Sequence, residues 1–419
     1  MNSKMATRWL TLLASLMAMG CASQAGSATA TDAGGGDGQT VGATTGLPCT
    51  PTPATCDGND VLTCVDGYEQ RQPCETGTYC NYAACVPTSI YLPHDAAPHK
   101  ERSEWWYYTG HLTSGGHNWG FEITVFQYDM TSLLNQPGLG YMCHVAVVDK
   151  DIREHYHTDS ISMDPQTWTS TPIVLEVDNC RFELGGDGRD HIRGQIPKGM
   201  EKDHKADPWL IDLTVEPKKR VTIHGGDGII PMSANAGTSW YYSYTRLAAQ
   251  GTLSTPGGNF PVTGQAWMDH QWGQFDIVDF KGWDWWSLQF DDGYEIMLFQ
   301  FFDWNSKLVS QAGTIVDPAG NTTELDGLDS FAVKSLRSWP SPHTDGIYPL
   351  DWDLTIPKMA WQIAVRTSVD DQEMWNFAQN YWEGETTLSG TRGTDSLTGV
   401  GYTELTGYAT DAMDPVKKP

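Results

Sequence analysis

The chain has 419 residues with 26 Lys or Arg against 52 Asp or Glu, a formal net charge of −26. This length is enough for two or three domains that each bury a core. The acidic balance argues against nucleic acid or anionic lipid headgroups as partners, because phosphate-binding surfaces have to present cations. The 18 Trp and 17 Tyr indicate either large aromatic cores or a cavity lined by rings.

The N-terminus has the pattern of a signal peptide. Lys4 and Arg8 precede an apolar run at 9–19, which is too short to span a bilayer and ends in AMGC. We predict a lipoprotein signal peptide over residues 1–21 with Cys21 acylated; ordinary secretion with another cleavage site is the alternative. The protein is then extracytoplasmic, either a lipid-anchored bacterial outer-membrane lipoprotein or a secreted or periplasmic protein. Residues 22–48 have little to bury and predict a flexible linker.

Cysteine spacing predicts a small disulfide-rich module at residues 49–87. Six cysteines lie there, at Cys49, Cys56, Cys64, Cys74, Cys80 and Cys85. In an oxidising compartment they would staple a segment with little core of its own, and the spacings lack the CxxC pairs of a zinc site. We interpret the module as a stalk, a spacer or a weak binding module. A separate pair, Cys143 and Cys180, is expected to join strands of the next domain.

An internal repeat determines the predicted fold. EWWYYTGHL…GFEITVFQYD (104–129) recurs as DWWSLQFDDGYEIMLFQFFD (284–303), and three shorter echoes follow in the same order. Apolar residues alternate in both copies, and Gly-rich turns separate the runs, which is typical of antiparallel hairpins. We predict an all-β protein with one closed barrel at 90–275 and a second at 276–410, because closure removes exposed sheet edges. Two packed sandwiches remain the alternative, and Ser330–Arg337 is the best candidate for a helix.

Three segments resemble the family of carotenoid 1,2-hydratases (hydroxyneurosporene synthases) and kievitone hydratases, which includes AttH-type secreted proteins. They are EWWYYTG, WMDHQWG (267–273) and NYWEG…GYTELTGY (380–408). The resemblance covers roughly residues 93–410 and implies tandem lipocalin-like barrels, in agreement with the repeat. It also implies acid-base chemistry on a lipophilic alkene.

Alkene hydration needs a protonated carboxylic acid in an apolar cavity and aromatic faces for the resulting cation. Asp269 matches the acid of the family, with Trp267 where those relatives have Tyr, and the upstream His of the relatives is missing near Trp240. A structural carboxylate where the two barrels meet is the alternative interpretation of Asp269. The candidate catalytic residues are Asp269, His270, Trp267 and Tyr242. The candidate ligand-binding rings are Trp240, Trp272, Trp105 and Tyr107.

Other polar residues are predicted to be structural. Glu104 and Asp284 occupy equivalent positions of the repeat, as do Glu122 and Glu295, and one active site rarely needs two copies of a group. A metal site at His155 and His157 lacks a third ligand nearby. The chain has no HExxH, GxxxxGK or GxSxG motif, so we expect no metal and no cofactor.

These observations favour a cofactor-independent hydratase-like enzyme, a hydro-lyase that hydrates or cyclises a terpenoid, polyketide or similar lipophilic alkene in a barrel cavity. The membrane contact is the N-terminal lipid anchor. A non-catalytic lipophile carrier with the same cavity is the main alternative, and the missing Tyr and His favour it. The third interpretation is a surface-adhesion module.

Overall fold

The structure, a computed structural model, describes residues 43–50, 53–57, 59–131, 137–163, 167–170, 172–197, 208–233, 237–275, 280–375 and 379–410. The predicted signal peptide, Cys21 and the linker up to residue 42 lie outside these ranges. The helices with defined bounds are two 3-10 turns, His94–Ala96 and Pro357–Met359. No helix in the described part of the chain is long and apolar enough to span a membrane. The predicted all-β class is confirmed.

The cysteine-rich module is a four-stranded sheet followed by a hairpin. Its strands are β1 (Ala43–Pro48), β2 (Thr55–Asp57), β3 (Asp60–Val65), β4 (Tyr68–Pro73), β5 (Thr78–Asn81) and β6 (Ala84–Pro87). The order in the sheet is β1-β4-β3-β2, and β5 pairs with β6. The disulfides are Cys49–Cys64, Cys56–Cys80 and Cys74–Cys85. The second of them joins the sheet to the hairpin, so the module holds together without a large core.

The predicted linker is too long at its C-terminal end. Ala43–Pro48 forms β1 because its backbone pairs with β4, from Ala43 opposite Arg71 to Pro48 opposite Tyr68. Composition did not indicate this strand, since its hydrogen-bonding partner lies further along the chain.

The module docks on the rest of the molecule through its last hairpin. The Tyr82 amide donates to Asn321 Oδ1 at 2.9 Å, and the Thr322 amide donates to Asn81 Oδ1 at 2.9 Å. The Ser89 amide donates to the Asp227 carbonyl at 2.7 Å. The module is therefore attached to the large sheets rather than separated from them.

The first large sheet is a strongly curved antiparallel sheet of 13 strands. They are β7 (Ser103–Ser114), β8 (His117–Asp129), β9 (Leu139–Asp149), β10 (Glu154–Ser162), β11 (Thr167–Ser170), β12 (Ile173–Val177), β13 (Cys180–Leu184), β14 (Asp190–Ile196), β15 (Trp209–Pro217), β16 (Thr222–Ile223), β17 (Ile229–Ser233), β18 (Gly237–Thr255) and β19 (Gly258–Gly273). The strand order is β10-β9-β8-β7-β19-β18-β15-β14-β13-β12-β11, with β16 and β17 also paired to β18.

The second large sheet repeats this arrangement with ten strands. They are β20 (Gly282–Phe290), β21 (Glu295–Phe302), β22 (Leu308–Val316), β23 (Thr322–Asp326), β24 (Ala332–Pro340), β25 (Ile347–Ile356), β26 (Trp361–Thr367), β27 (Glu373–Trp375), β28 (Asn380–Arg392) and β29 (Asp395–Thr406). The order is β23-β22-β21-β20-β29-β28-β26-β25-β24, with β27 paired to β28. Strands β20 and β29 correspond to β7 and β19, as the repeat predicts.

Side chains fill the inside of each curved sheet. On β8 the inward residues Phe121, Ile123 and Val125 are fully buried in the first core, and the Cys143–Cys180 disulfide crosses this core between β9 and β13. The core of the second sheet contains four buried tryptophans, and Trp286 and Trp382 pack around Trp352. Both interiors are packed hydrophobic cores.

The predicted helix at Ser330–Arg337 is wrong. Ala332–Pro340 is strand β24 at the edge of the second sheet, paired to β25 from Ala332 opposite Thr355 to Pro340 opposite Ile347. A short isolated helix is marginal in water, whereas the edge of β25 offers backbone partners to the whole segment. Polar residues such as Lys334 and Arg337 suit an exposed edge.

The outer faces of the two large sheets pack against each other. A cluster of buried aromatic and apolar residues from both sheets, including Tyr107, Trp267, Trp285 and Phe299, fills this interface. Gly120 marks the close approach, because a Cβ there would lie 2.5 Å from Tyr402 Oη. Each strand at the interface is buried on both faces, one in its own core and one against the other sheet.

Candidate functional site

Strand alternation divides the predicted site residues between two places. On β19, Trp267, Asp269 and Gln271 point outward to the inter-sheet interface, and Met268 and Trp272 point into the first core. His270 lies on this inner side, stacked on Trp106. The period of two in a strand makes this separation unavoidable. Asp269 and Trp267 therefore cannot share a site with His270.

The outward residues surround a narrow pocket between the sheets, with about 50 Å³ of room for the centres of water-sized molecules. Its aromatic lining consists of Trp105, Tyr107, Phe126, Tyr128, Tyr241, Phe275, Phe280, Trp283, Trp285, Phe299 and Phe301. Its polar lining consists of Asp269, Gln271 and Glu404. Few polar groups in an apolar cavity are the usual composition of a small-molecule site. This pocket lies between the outer faces of the two large sheets, whereas the predicted function placed the site in a barrel cavity.

Asp269 is held by three donors. Tyr241 Oη donates to Oδ2 at 2.7 Å, Trp267 Nε1 donates to Oδ1 at 2.7 Å, and Ser243 Oγ also donates to Oδ1. The side chain is 3% exposed, and burial raises the pKa of Asp269 to about 7 against the opposing effect of these donors. A substantial fraction of this carboxyl is therefore protonated at neutral pH.

Glu404 is the second carboxyl of the pocket. It belongs to β29 of the second sheet, is partly exposed and lines the same cavity as Asp269. Burial, with the negative charges of Glu122 and Asp269, raises the pKa of Glu404 to about 8. The pocket thus brings together two carboxyls with pKa values near neutrality, one from each sheet.

Two further acids are buried beside the pocket. Tyr107 Oη donates to Glu383 Oε1 at 2.7 Å, across a separation of 276 residues in the chain. Glu122 Oε1 accepts from Thr124 at 2.7 Å and from Tyr381 at 3.2 Å, and burial raises the pKa of Glu122 to about 7. Burial and nearby acids also raise the pKa of Glu383. The interface therefore favours neutral acids, because ionised groups there would repel one another.

The remaining predicted residues gather at one end of the first barrel, away from the pocket. His270 Nε2 lies 2.8 Å from Glu104 Oε1, and His270 Nδ1 lies 3.1 Å from Tyr242 Oη. Trp240 and Trp272 stack beside this group, with ring centroids 6.3 Å apart. The assignment of His270, Tyr242, Trp240 and Trp272 to the site of Asp269 is thus corrected, because their side chains lie on the opposite face of the sheet.

His99, Glu104 and His270 form the one group of three potential metal ligands found within 4.8 Å among the described residues. His99 Nδ1 lies 2.7 Å and His270 Nε2 2.8 Å from the same oxygen, Glu104 Oε1. In this arrangement the three side chains are hydrogen-bonded to one another through Glu104 Oε1. His155 and His157 stack on each other at 5.4 Å, and no third ligand joins them in the described part of the chain.

The repeated acids have different partners in the two copies. Asp284 accepts from Gln300 Nε2 at 2.7 Å and from Tyr408 Oη at 2.9 Å, whereas its counterpart Glu104 binds histidines. Glu295 is fully buried between two cations of the first sheet, with Lys219 Nζ at 2.6 Å and Arg246 Nε at 2.5 Å. Its counterpart Glu122 has no cation among its described contacts, which are to Thr124 and Tyr381. Glu104, Asp284 and Glu295 therefore fit the structural role that the repeat suggested.

Sequence reasoning missed several residues of the pocket. Trp285, Phe299, Phe301 and Glu404 all belong to the second copy of the repeat, in which no site was predicted. The duplicated Trp105 and Trp285 both line the pocket, so duplication did not separate scaffold from site. Tyr241 and Ser243 could have been found from the pairing of β18 with β19, which sets Ser243 opposite Asp269.

The two large sheets enclose an aromatic pocket that contains two acids, and together they have the fold of a tandem lipocalin-like protein. The sequence profile of the AttH-like family matches residues 84–408, which is most of the chain, and the chain belongs to this family. The predicted family is confirmed.

Similar proteins agree with this assignment. An AttH protein of Nitrosomonas europaea has a crystal structure that is similar with a TM-score of 0.64 and 27% identity, over 77% of this chain and 98% of that one. Kievitone hydratase of Nectria haematococca is similar in fold, with a TM-score of 0.60 and 19% identity over 77% of this chain and 93% of that one. Kievitone hydratase of Fusarium solani subsp. phaseoli is 25% identical over 203 residues, which are 46% of this chain and 56% of the relative. The chain thus spans little more than half of that curated relative.

Proposed function

We propose that the protein is a hydratase-like enzyme that adds water to an alkene of a lipophilic small molecule in the inter-sheet pocket, with Asp269 as the acid. The observation that carries the proposal is a buried carboxyl, with its pKa raised to about 7, in a pocket lined mainly by aromatic rings. The similarity to kievitone hydratase supports the reaction class. Because the pocket is narrow, only the reacting end of the substrate would enter it in this side-chain arrangement.

The first step is proton transfer from Asp269 to an alkene carbon. The acid is buried, so it donates without competition from bulk water. The transfer leaves a carbocation that the faces of Trp105, Tyr107 and Trp285 can stabilise, since their π electrons attract a cation.

The second step is attack of water on the cation. Glu404 is the group we assign to take the proton that the water loses. The charge of Asp269 contributes to the raised pKa of Glu404, so Glu404 ionises more readily while Asp269 holds its proton. One proton enters the alkene and one leaves the water, so the reaction consumes none. Asp269 must then regain a proton and Glu404 must lose one.

A lipophile carrier without chemistry is the second candidate. The observation in its favour is that Asp269 already accepts three hydrogen bonds inside the protein, which suits a structural carboxylate. Trp267 supplies one of these bonds, and it stands where the hydratases that this sequence resembles have Tyr.

The location outside the cytoplasm is part of the proposal. The four disulfides support an oxidising compartment, and the signal-peptide pattern ending at Cys21 supports a lipid anchor. Mass spectrometry of the N-terminal peptide from membranes would detect the acyl group, and an unmodified Cys21 would contradict the anchor.

The test is hydration of two probe alkenes, kievitone and an acyclic carotenoid, in ¹⁸O-labelled water. We expect a product heavier by one labelled water with the unmodified protein, and at least a hundredfold slower formation with Asp269→Asn, the order expected when a general acid is lost. Asp190→Asn is the matched control, because Asp190 is equally buried but binds Tyr108 in the first core at 2.8 Å. Binding of a probe without labelled product would favour the carrier, and an unchanged rate in Asp269→Asn would contradict the assignment of the acid.

A further inference from the structure

An unbroken chain of four hydrogen bonds leads from Asp269 to a second acid, Glu324. Ser243 Oγ bonds to Asp269 Oδ1, and His224 Nε2 lies 2.7 Å from Ser243 Oγ. His224 Nδ1 lies 2.8 Å from Thr314 Oγ1, which lies 2.9 Å from Glu324 Oε2. The chain crosses from the first large sheet to the second, since Ser243 is on β18 and Thr314 on β22.

The two ends of the chain have different surroundings. Ser243 and His224 are fully buried, and Thr314 is 1% exposed. Glu324 is half-buried and lines a separate cleft of about 390 Å³ formed mainly by β17, β22 and β23. This cleft has much more room for water than the pocket at Asp269. A path between the two acids therefore links a narrow, mainly apolar site to a wetter one.

The hydrogens of the chain can be counted. Ser243 and Thr314 each carry one hydroxyl hydrogen, and neutral His224 carries one N–H. Burial lowers the pKa of His224 to about 3, so the ring is neutral. These three hydrogens cannot fill four bonds. One further proton, on either carboxyl, completes the chain.

With that proton, the chain has two complete arrangements. When Glu324 holds it, every donor points toward Asp269: Glu324 to Thr314, Thr314 to Nδ1, Nε2–H to Ser243, and Ser243 to the carboxylate. When Asp269 holds it, all four bonds reverse and the ring changes tautomer. Burial raises the pKa of both Asp269 and Glu324 to about 7, so neither end holds the proton much more strongly.

We propose that Asp269 and Glu324 share one proton through Ser243, His224 and Thr314, and that Asp269 is reprotonated along this path from the second cleft. Its use in turnover rests on the proposed hydration, in which the buried Asp269 gives up a proton inside a narrow pocket. The step is balanced, because four O–H or N–H bonds break, four form, and Glu324 takes a replacement proton from solvent. His224 is thus assigned as a proton-relaying residue that does not touch the substrate.

Other titratable groups face the two ends of the chain and affect both acids. Those near Asp269 are Tyr241, Glu383 and Glu404. Those near Glu324 are Asp326 and Tyr79 of the cysteine-rich module. The hydrogen bonds of the two His224 ring nitrogens go to Thr314 and Ser243 and to none of these groups. Tyr241 contacts His224 through its carbonyl, which accepts from the His224 amide at 3.2 Å, and through its ring. A variant at Thr314 interrupts the hydrogen-bond chain and leaves all these groups in place.

The test is a titration of the ligand-free whole chain by carboxyl ¹³C NMR, with the two signals assigned from Asp269→Asn and Glu324→Gln. In the unmodified protein the Asp269 and Glu324 signals should both shift at the same two pH midpoints. Sharing one proton widens the pH range over which the pair of acids holds a single proton, so the two midpoints lie apart. In Thr314→Val the new side chain has nearly the shape of threonine but lacks the hydroxyl, so it interrupts the chain of hydrogen bonds. It should bring the two midpoints closer by about one pH unit or more, the usual effect of one hydrogen bond to a charged group. Each signal should then titrate in one step.

Thr222→Val is the control, since Thr222 is buried two residues from His224 and its hydroxyl has no partner among the described atoms. It should leave the coupled titration unchanged. If Thr314→Val does not fold, Glu324→Gln gives the same test, and the Asp269 signal should then show one step. Independent single steps in the unmodified protein would overturn the proposal. This outcome is separate from the hydration assay, because loss of hydration in Asp269→Asn does not depend on the chain to Glu324.

Discussion

Glu295 and Glu122 occupy equivalent strand positions in the two copies of the repeat, and we predict opposite sensitivities to the same substitution. Glu295 binds Lys219 and Arg246 of the first sheet, and Lys219 is only 7% exposed at its side chain. Glu295→Gln keeps the shape but removes the charge, which leaves two cations between the sheets without a counter-charge.

The cost can be bounded from the structure. Removing one partner of a buried ion pair costs about 3–5 kcal/mol. Lys219 could instead lose its proton, which at pH 6 costs about 6 kcal/mol relative to an unfolded chain in which the lysine has a pKa of about 10.5. Carbonyl oxygens still accept from both cations, at Asp317 for Lys219 and Phe290 for Arg246, so we expect about 3 kcal/mol. Glu122→Gln should cost less than about 1 kcal/mol at pH 6, because Glu122 is already largely neutral there and has no cation partner.

The assay is urea unfolding at pH 6 followed by tryptophan fluorescence, with both variants measured against the unmodified chain. We expect a clear drop in the urea midpoint for Glu295→Gln and a small one for Glu122→Gln. If unfolding becomes biphasic in Glu295→Gln, the two sheets have lost their coupling, which agrees with the reasoning. Equal midpoints for the two variants would refute it.

Two further predictions concern the stability of the whole chain. The free energy of unfolding should fall as pH rises from about 4 to about 8. Burial raises the pKa values of Asp269, Glu122 and Glu404 to about 7, 7 and 8. In this pH range these acids hold protons in the folded protein that they lose in the unfolded one, so raising the pH favours unfolding. Melting temperatures across this range measure the effect, Asp269→Asn should flatten it, and stability that rises toward pH 8 would contradict it. Replacing both Cys143 and Cys180 by Ser should cost about 4 kcal/mol, the loop entropy for a separation of 37 residues. A urea midpoint that stays unchanged would show that the cross-link constrains nothing.

The fold was predictable because the repeat, the alternation of apolar residues and the even cysteine count all indicate hairpins. Exceptions arose where pairing across the sequence overrides local preference, as in β1 and β24. The site was harder. In β8 nearly every residue from Trp119 to Tyr128 is buried, so hydrophobicity does not tell which face meets the core and which meets the other sheet.

The rest of the site could not be predicted from the sequence, because it is formed by contacts between residues far apart in the chain. The bond from Tyr107 to Glu383 and the approach of His224 to Ser243 depend on how the sheets pack and on how the turn after β16 folds. The missing histidine near Trp240 argued against hydration, yet His224 brings an imidazole to the hydroxyl beside Asp269 from another part of the chain. The sequence around His224 did not predict this contact, since the GGDG that follows His224 indicates only a turn.

Because the pocket lies between the outer faces of the two sheets, the residues that line it are not the residues that form the two barrel cores. Inward residues such as Trp106 and Trp286 stabilise each unit, while Met232, Phe299 and Phe301 line the cavity without belonging to either barrel core. Substitutions of these three side chains can reshape the cavity while both cores stay intact. A protein built in this way can change the molecule it accepts in small steps, with each intermediate still folded, because the two requirements fall on alternate residues of the same strands.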